Sequence, residues 1–231
     1  MYKKLFSLSI VVSISTFNVF SQNHVTKDKT VSKDAEMVMV NGISPADAAK
    51  NALNVGAKMP AFTLGDINGK VVKSDDLLKR GNLVVVFYRG AWCPFCNLYL
   101  RKLQENLSQI KAQGANLVAI SVENPDRSLT VTQKNKVEFT VLSDPNFDVA
   151  RKFGIVYEMP KDTSELYKSR GLDVAKYNSM EKAELPLSAT YIVNSKGKIV
   201  YAFLEPDFKK RAEPAVIIET LSKIKKLEKK K

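Results

Sequence analysis

The chain has 231 residues, 45% of them hydrophobic, and a formal net charge of +12. That hydrophobic share fills a core, which excludes a largely disordered chain, and the length suits one domain with a tail or two. The basic balance is shared with nucleic-acid and acidic-membrane binders, but no nucleic-acid motif and no aromatic-basic interleaving accompanies it, so no nucleic-acid partner is expected.

Residues 1–21 have the layout of a secretory signal peptide: Lys3 and Lys4, a mostly apolar run from Leu5 to Phe20, and small residues before a cut after Ser21. The run is short and serine-containing for a membrane span, so no stable membrane insertion is expected after cleavage; the alternative reading is an uncleaved N-terminal anchor. Removal of 1–21 takes away Lys3 and Lys4 and leaves about +10. The mature protein is therefore expected to be exported, and periplasmic in a Gram-negative bacterium. Residues 22–55 read as a polar linker followed by a short helix. Ser44-Pro45-Ala46-Asp47 supplies that helix with an N-cap, a proline in the first turn and an acid.

Residues 56–231 read as one α/β domain. Pro60 to Leu64 and Val71-Val72 flank Asn68-Gly69, a hairpin signal. Ser74 is expected to cap a short helix through Lys79, closed by Gly81. Leu83 to Tyr88 is a continuous apolar run, the pattern of a central strand covered on both faces. Cys96, Leu100, Leu103, Leu107 and Ile110 then recur at 4, 3, 4 and 3, predicting one helix that ends at Gly114. Leu117 to Val122 is a second buried strand, so 83–122 reads as a parallel strand–helix–strand crossover.

A further helix is predicted over Pro125 to Lys136, a short strand over Phe139 to Leu142, and a helix from Asp144-Pro145 to about Phe153. The segment 157–183 is polar and mixed. It reads as an insertion that shapes a substrate cleft, with Tyr157, Tyr167 and Tyr177 as packing residues. Thr190 to Val193 and Lys198 to Phe203 form an antiparallel hairpin about Asn194 to Gly197, and Glu213-Pro214 opens a final helix. The sum is a sandwich of about three layers.

The chain's two cysteines sit in Trp92-Cys93-Pro94-Phe95-Cys96, where the first buried strand gives way to a helix. In open α/β sheets, sites lie at the carboxyl ends of strands. A helix N-terminus stabilises a thiolate, so Cys93 is expected to have a lowered pKa, with Arg89 as a further source of positive charge. Cys96, one turn deeper on the apolar face, is expected to stay a thiol until Cys93 is attacked. A loop this short makes a poor structural staple. The only histidine is His24, in the linker, so Ser-His-Asp and Cys-His schemes lack a base. One chain offers no zinc ligand set, and a CxxC half-site completed across a dimer is the only metal arrangement left. No cofactor is implied.

Phe87-Tyr88-Arg89-Gly90-Ala91-Trp92-Cys93-Pro94-Phe95-Cys96 resembles the active-site segment of the thioredoxin superfamily, and more narrowly that of peroxiredoxin-like proteins of the alkyl hydroperoxide reductase/thiol-specific antioxidant group. The resemblance continues through Val118 to Ser121, Val141 to Asp144, Phe153-Gly154, Ala189 to Val193 and Gly197 to Ile199, covering about 56–228. It implies a thioredoxin-like fold, a central mixed sheet flanked by helices. It also implies a thiol-dependent peroxidase: Cys93 becomes a sulfenic acid, Cys96 condenses with it to a disulfide, and a thioredoxin-like reductant restores the dithiol. The peroxide substrate is hydrogen peroxide or an alkyl hydroperoxide.

The chain departs from that pattern in three places. Peroxiredoxins place Thr or Ser three residues before the reacting cysteine and Pro seven before it; Gly90 and Val86 stand there instead. The arginine they carry near a later strand has no match in Leu185 to Thr190. Arg89 reads either as its substitute or as an ordinary surface arginine. Two other readings of the dithiol stay open: an exported thiol–disulfide oxidoreductase acting on protein disulfides, and a secreted binding module with a structural bridge.

Overall fold

Three consecutive valines inside an apolar run favour an extended backbone, because β-branched side chains are stiff and pack well on a pleated surface. In the computed structural model, which describes residues 42–228, that run is a strand buried at all seven positions, Asn82–Tyr88. The predicted signal peptide and His24 lie outside the described residues, as does the linker up to residue 41.

In chain order the elements are α1 (Pro45–Asn51), β1 (Thr63–Asp66), β2 (Val71–Lys73), α2 (Ser74–Leu78), β3 (Asn82–Tyr88), α3 (Pro94–Glu105), α4 (Leu107–Ala112) and β4 (Ala115–Ser121). There follow α5 (Pro125–Lys134), β5 (Thr140–Ser143), α6 (Asp148–Lys152), β6 (Val156–Glu158), α7 (Lys161–Ser169), α8 (Val174–Tyr177), β7 (Glu184–Pro186), β8 (Thr190–Val193), β9 (Ile199–Phe203) and α9 (Pro214–Glu228).

Seven strands form one mixed sheet in the order β2-β1-β5-β4-β3-β8-β9. β3 lies parallel to β4 in register Asn82↔Ala115 through Tyr88↔Ser121, and antiparallel to β8 in register Leu83↔Val193 through Val86↔Thr190. Alternation along β3 divides the core. Leu83, Val85 and Phe87 join the face that packs α1, α2, α6 and α8, through Ala48, Leu77, Val149 and Val174. Val84, Val86 and Tyr88 join the face that packs α3, α4 and α9, through Leu100, Leu103, Ile110, Ile217 and Leu221. A central mixed sheet with helices on both faces is the thioredoxin-like arrangement that the sequence resemblance implies.

Two local expectations are corrected. Ser74 does not cap α2. It is the first helical residue, and its Oγ accepts from the Phe62 N–H at 3.0 Å, tying the chain before β1 to the helix. The predicted single helix after the cysteines is two, broken at Asn106 (φ −105°, ψ 4°), whose side-chain amide donates to the Lys102 carbonyl. Leu103 and Leu107 both remain buried, so the apolar spacing does not register the break. The 157–183 segment, to which the sequence assigns no elements, carries α7 and α8, and β6 and β7 at its two ends form a separate antiparallel pair. Among the described residues no helix is long and apolar enough to cross a membrane.

Candidate active site

Cys93 is the N-cap of α3 (φ −88°, ψ 111°), and Pro94 is the first helical residue. Proline's missing N–H costs nothing there, and the free N–H groups of the first turn face the sulfur's end of the helix. Cys96 follows one turn later. Both residues are free thiols with 0% exposure.

The chain leaves β3 through Arg89, which is not a surface residue: it is 3% exposed. Its Nη2 donates to Cys93 Sγ at 3.1 Å. The guanidinium carbon lies 3.5 Å from the Phe208 ring centroid and 4.9 Å from that of Trp92. Its Nε has no hydrogen-bond partner. Tyr157, on β6, is buried beside it.

These neighbours set the two sulfurs apart. A hydrogen bond from the Cys96 thiol, together with the charge and hydrogen bond of Arg89, outweighs burial and lowers the Cys93 pKa to about 5. Cys96 moves the other way. Burial raises its pKa most, and the hydrogen bond and negative charge of Cys93 add to it. At neutral pH these shifts favour the anion on Cys93 and the proton on Cys96.

Gly90 has a physical reason to be glycine. Its φ is +148°, and a Cβ there would stand 2.5 Å from Trp92 Nε1 and 2.8 Å from Glu123 Oε1. Glu123 is 0% exposed. Its Oε2 accepts from the Ala91 N–H at 2.8 Å and from the Ser121 and Ser128 hydroxyls at 3.3 Å, while its Oε1 accepts from the Tyr177 hydroxyl at 2.8 Å. Burial raises the carboxyl's pKa, and these donors oppose it. The carboxylate thus joins the loop before Cys93 to α8 of the 157–183 segment.

A cleft of about 230 Å³ opens beside the dithiol, lined by Trp92, Phe95, Tyr167, Leu172 and Phe208 with Arg89 and Arg170. The expectation that 157–183 shapes a cleft therefore places Tyr167 in its wall, 5.8 Å from Trp92 and edge-on to it. Tyr177 is more than a packing residue, since its hydroxyl is bound to Glu123. Among the described residues no cluster of three or more His, Cys, Asp or Glu could hold a metal ion.

Sequence reasoning missed Glu123, Phe208 and Arg211, whose Nη2 donates to Cys96 Sγ at 3.5 Å, and took Tyr177 for packing alone. Glu123 left one usable signal, an acid just past the carboxyl end of a buried parallel strand. Arg89 likewise lies just past the carboxyl end of its strand, directly after Tyr88 of β3.

Comparisons with known proteins follow the same lines. The AhpC/TSA family model matches residues 55–202. Peroxiredoxin Bcp of Escherichia coli (strain K12) is 30% identical over 105 residues, 46% of this chain and 67% of that protein. A putative peroxiredoxin of Mycobacterium tuberculosis (strain H37Rv) is 30% identical over 150 residues, 65% of this chain and 84% of that protein. Among solved structures, peroxidoxin BcpB from Mycobacterium tuberculosis superimposes with a TM-score of 0.60 at 20% identity, covering 74% of this chain and 98% of that one. AhpC of Enterococcus faecalis does so with a TM-score of 0.59 at 18% identity, covering 78% and 98%. The structural matches show the fold, and the family model spans more than half of the sequence: the chain belongs to the AhpC/TSA family.

Proposed function

We propose that the protein is a thiol-dependent peroxidase whose reacting residue is Cys93 and whose resolving residue is Cys96. The observation that carries the reading is the 3.1 Å contact from Arg89 to a Cys93 sulfur held at a helix N-terminus. The curated relatives bear the name peroxiredoxin, and the geometry fits that chemistry.

The Cys93 thiolate attacks the terminal oxygen of a hydroperoxide. The O–O bond breaks, the hydroxyl oxygen is transferred to sulfur, and the remaining oxygen leaves with the electron pair and takes up a proton. Negative charge moves from sulfur to the leaving oxygen, and Arg89 donates to the sulfur at the start of that path. Its unpaired Nε is a donor available to a peroxide oxygen. Arg89 thus fills the role of the arginine missing from Leu185 to Thr190. Cys96 then closes the disulfide, and a thioredoxin-type dithiol reduces it.

The alternative, an exported thiol–disulfide oxidoreductase, is less well supported. Its first step requires a protein disulfide to reach a sulfur with no exposed surface, whereas a hydroperoxide is small. Reduction by a protein donor then includes an opening of the structure around Cys93. The signal peptide over 1–21 remains part of the proposal, with export to the periplasm in a Gram-negative host.

The test is peroxide consumption by the reduced protein. The reading requires a rate well above that of free thiol, lost in Cys93→Ser. A Cys93→Ser variant that consumes peroxide at the parent's rate would overturn it.

A further inference from the structure

The dithiol faces two arginines. The segment 204–213, between β9 and α9, reaches both Arg89 and Cys96. Phe208 covers Arg89, and three residues on, Arg211 Nη2 donates to Cys96 Sγ at 3.5 Å. The segment is held in place by Tyr99, one turn after Cys96 on α3, whose hydroxyl donates to the Ala212 carbonyl at 2.8 Å. Arg211 is oriented further by a bond from Nη1 to the Lys210 carbonyl at 2.8 Å, and its Nε is buried without a partner. It lines its own cleft of about 380 Å³ with Lys102, Lys209, Lys210, Glu205 and Glu213, apart from the cleft lined by Arg89.

We infer that Arg211 is a catalytic residue of the second half of the cycle, stabilising Cys96 as a thiolate when it attacks oxidised Cys93 and again when it leaves during reduction. The inference rests on the peroxidase reading for the sulfenic acid it acts upon.

The charge balance explains why a second guanidinium is useful. In the reduced pair, the Cys93 anion and its hydrogen bond hold the proton on Cys96, while Arg211 and Arg89 act in the opposite direction. Oxidation of Cys93 to a neutral sulfenic acid removes the anion, and the two arginines remain. Cys96 can then give up its proton. Its sulfur supplies the electron pair for the new S–S bond, and the S–O bond of the sulfenic acid breaks. The hydroxyl leaves with that bond's pair and, with the proton from Cys96, departs as water. Each sulfur ends in the disulfide state, Cys96 oxidised and Cys93 reduced. In the return step a donor thiolate attacks Cys93, the S–S bond breaks, and its pair goes to Cys96 beside Arg211. Leaving-group thiols depart faster when their anions are stabilised.

The test uses the full chain and separates closure from the first step. In one arm, reduced protein meets hydrogen peroxide, and closure is followed by the fluorescence of Trp92, the only tryptophan. In the other, the Cys93 thiolate displaces methanesulfinate from methyl methanethiosulfonate. The methylthio adduct it forms is lost, with release of methanethiolate, when Cys96 closes the ring. Its lifetime is read by mass.

In Arg211→Met the rate of closure relative to the first step falls about tenfold or more in both arms, the scale of a lost charge-assisted hydrogen bond. Arg211→Lys recovers part of it. An unchanged ratio in both arms overturns the inference, and so does an equal slowing of both steps. If peroxide leaves Cys93 unoxidised while the methylthio adduct closes tenfold more slowly in Arg211→Met, the peroxidase reading fails and the role of Arg211 stands.

Discussion

Arg89 donates to the Cys93 sulfur at 3.1 Å from a position four residues earlier in the chain, where β3 has just ended. The strand fixes one partner and the helix N-terminus fixes the other, so the contact needs no loop to find its place. The rings of Phe208 and Trp92 lie against the guanidinium, which is almost wholly buried. A charge in such surroundings acts on its neighbour with little screening.

The first consequence concerns pH. With the Cys93 pKa lowered to about 5, the thiolate is the majority form above that pH and is lost by protonation below it. Alkylation of reduced protein by iodoacetamide is expected to be half-maximal near pH 5 and flat through neutrality. Cys96→Ala and Arg89→Met each remove a stabilising partner, so both move the midpoint upward. A parent midpoint near the free-thiol value of about 8.5 would contradict the site's electrostatics.

Gly90 gives a counterintuitive expectation. Installing the threonine found at this position in peroxiredoxins should harm the protein rather than improve it. The backbone is at φ +148°, and the new Cβ meets Trp92 at 2.5 Å and the Glu123 carboxylate at 2.8 Å. Gly90→Thr is expected to cost at least ~2 kcal/mol from backbone strain and overpacking together. Urea unfolding of the reduced protein measures it, and an unchanged midpoint would show that the loop can rearrange freely.

Much of the site's frame could be read from the sequence, and the reason is locality. The valine run of β3, the proline after Cys93 and the apolar spacing of α3 each act within a turn or a strand. The residues that complete the site are brought in from far away. Glu123 binds the backbone of Ala91 from 32 positions downstream, and Arg211 reaches Cys96 across 115. Nothing in the local sequence marks Arg211, and Glu123 shows only as an acid just past the carboxyl end of β4. The same applies to Ser74: its neighbours read as a helix cap, but a tertiary bond to Phe62 takes its hydroxyl. The break at Asn106 was hidden for a different reason, because the apolar face continues through it.

Glu123 should behave as the joint between the catalytic loop and α8. Glu123→Ala leaves the Ala91 N–H and the Tyr177 hydroxyl without their acceptor, and is expected to cost about 3 kcal/mol. Tyr177→Phe removes one of these bonds and should cost about 1 kcal/mol. Thermal unfolding checks the order. Equal effects of the two variants would mean that the carboxylate's bond to the loop contributes nothing.

Phe208 is expected to act as a cover. It lies against Arg89 and meets Phe95 edge-on at 5.6 Å. In Phe208→Ala, Cys93 should react several-fold faster with a bulky maleimide, with a smaller change toward iodoacetamide. Equal acceleration of both reagents would point to general loosening instead of an opened path.

Peroxidase action through Cys93 is read in a single turnover of reduced protein with limiting hydrogen peroxide, stopped by acid and followed by mass. The parent is expected to consume its peroxide and gain an intramolecular Cys93–Cys96 disulfide. Cys96→Ser is expected to halt at a Cys93 sulfenic acid trapped by dimedone, and Cys93→Ser to leave the peroxide unconsumed. Peroxide loss that persists in Cys93→Ser, or a parent whose thiols remain reduced, would contradict peroxidase action through Cys93.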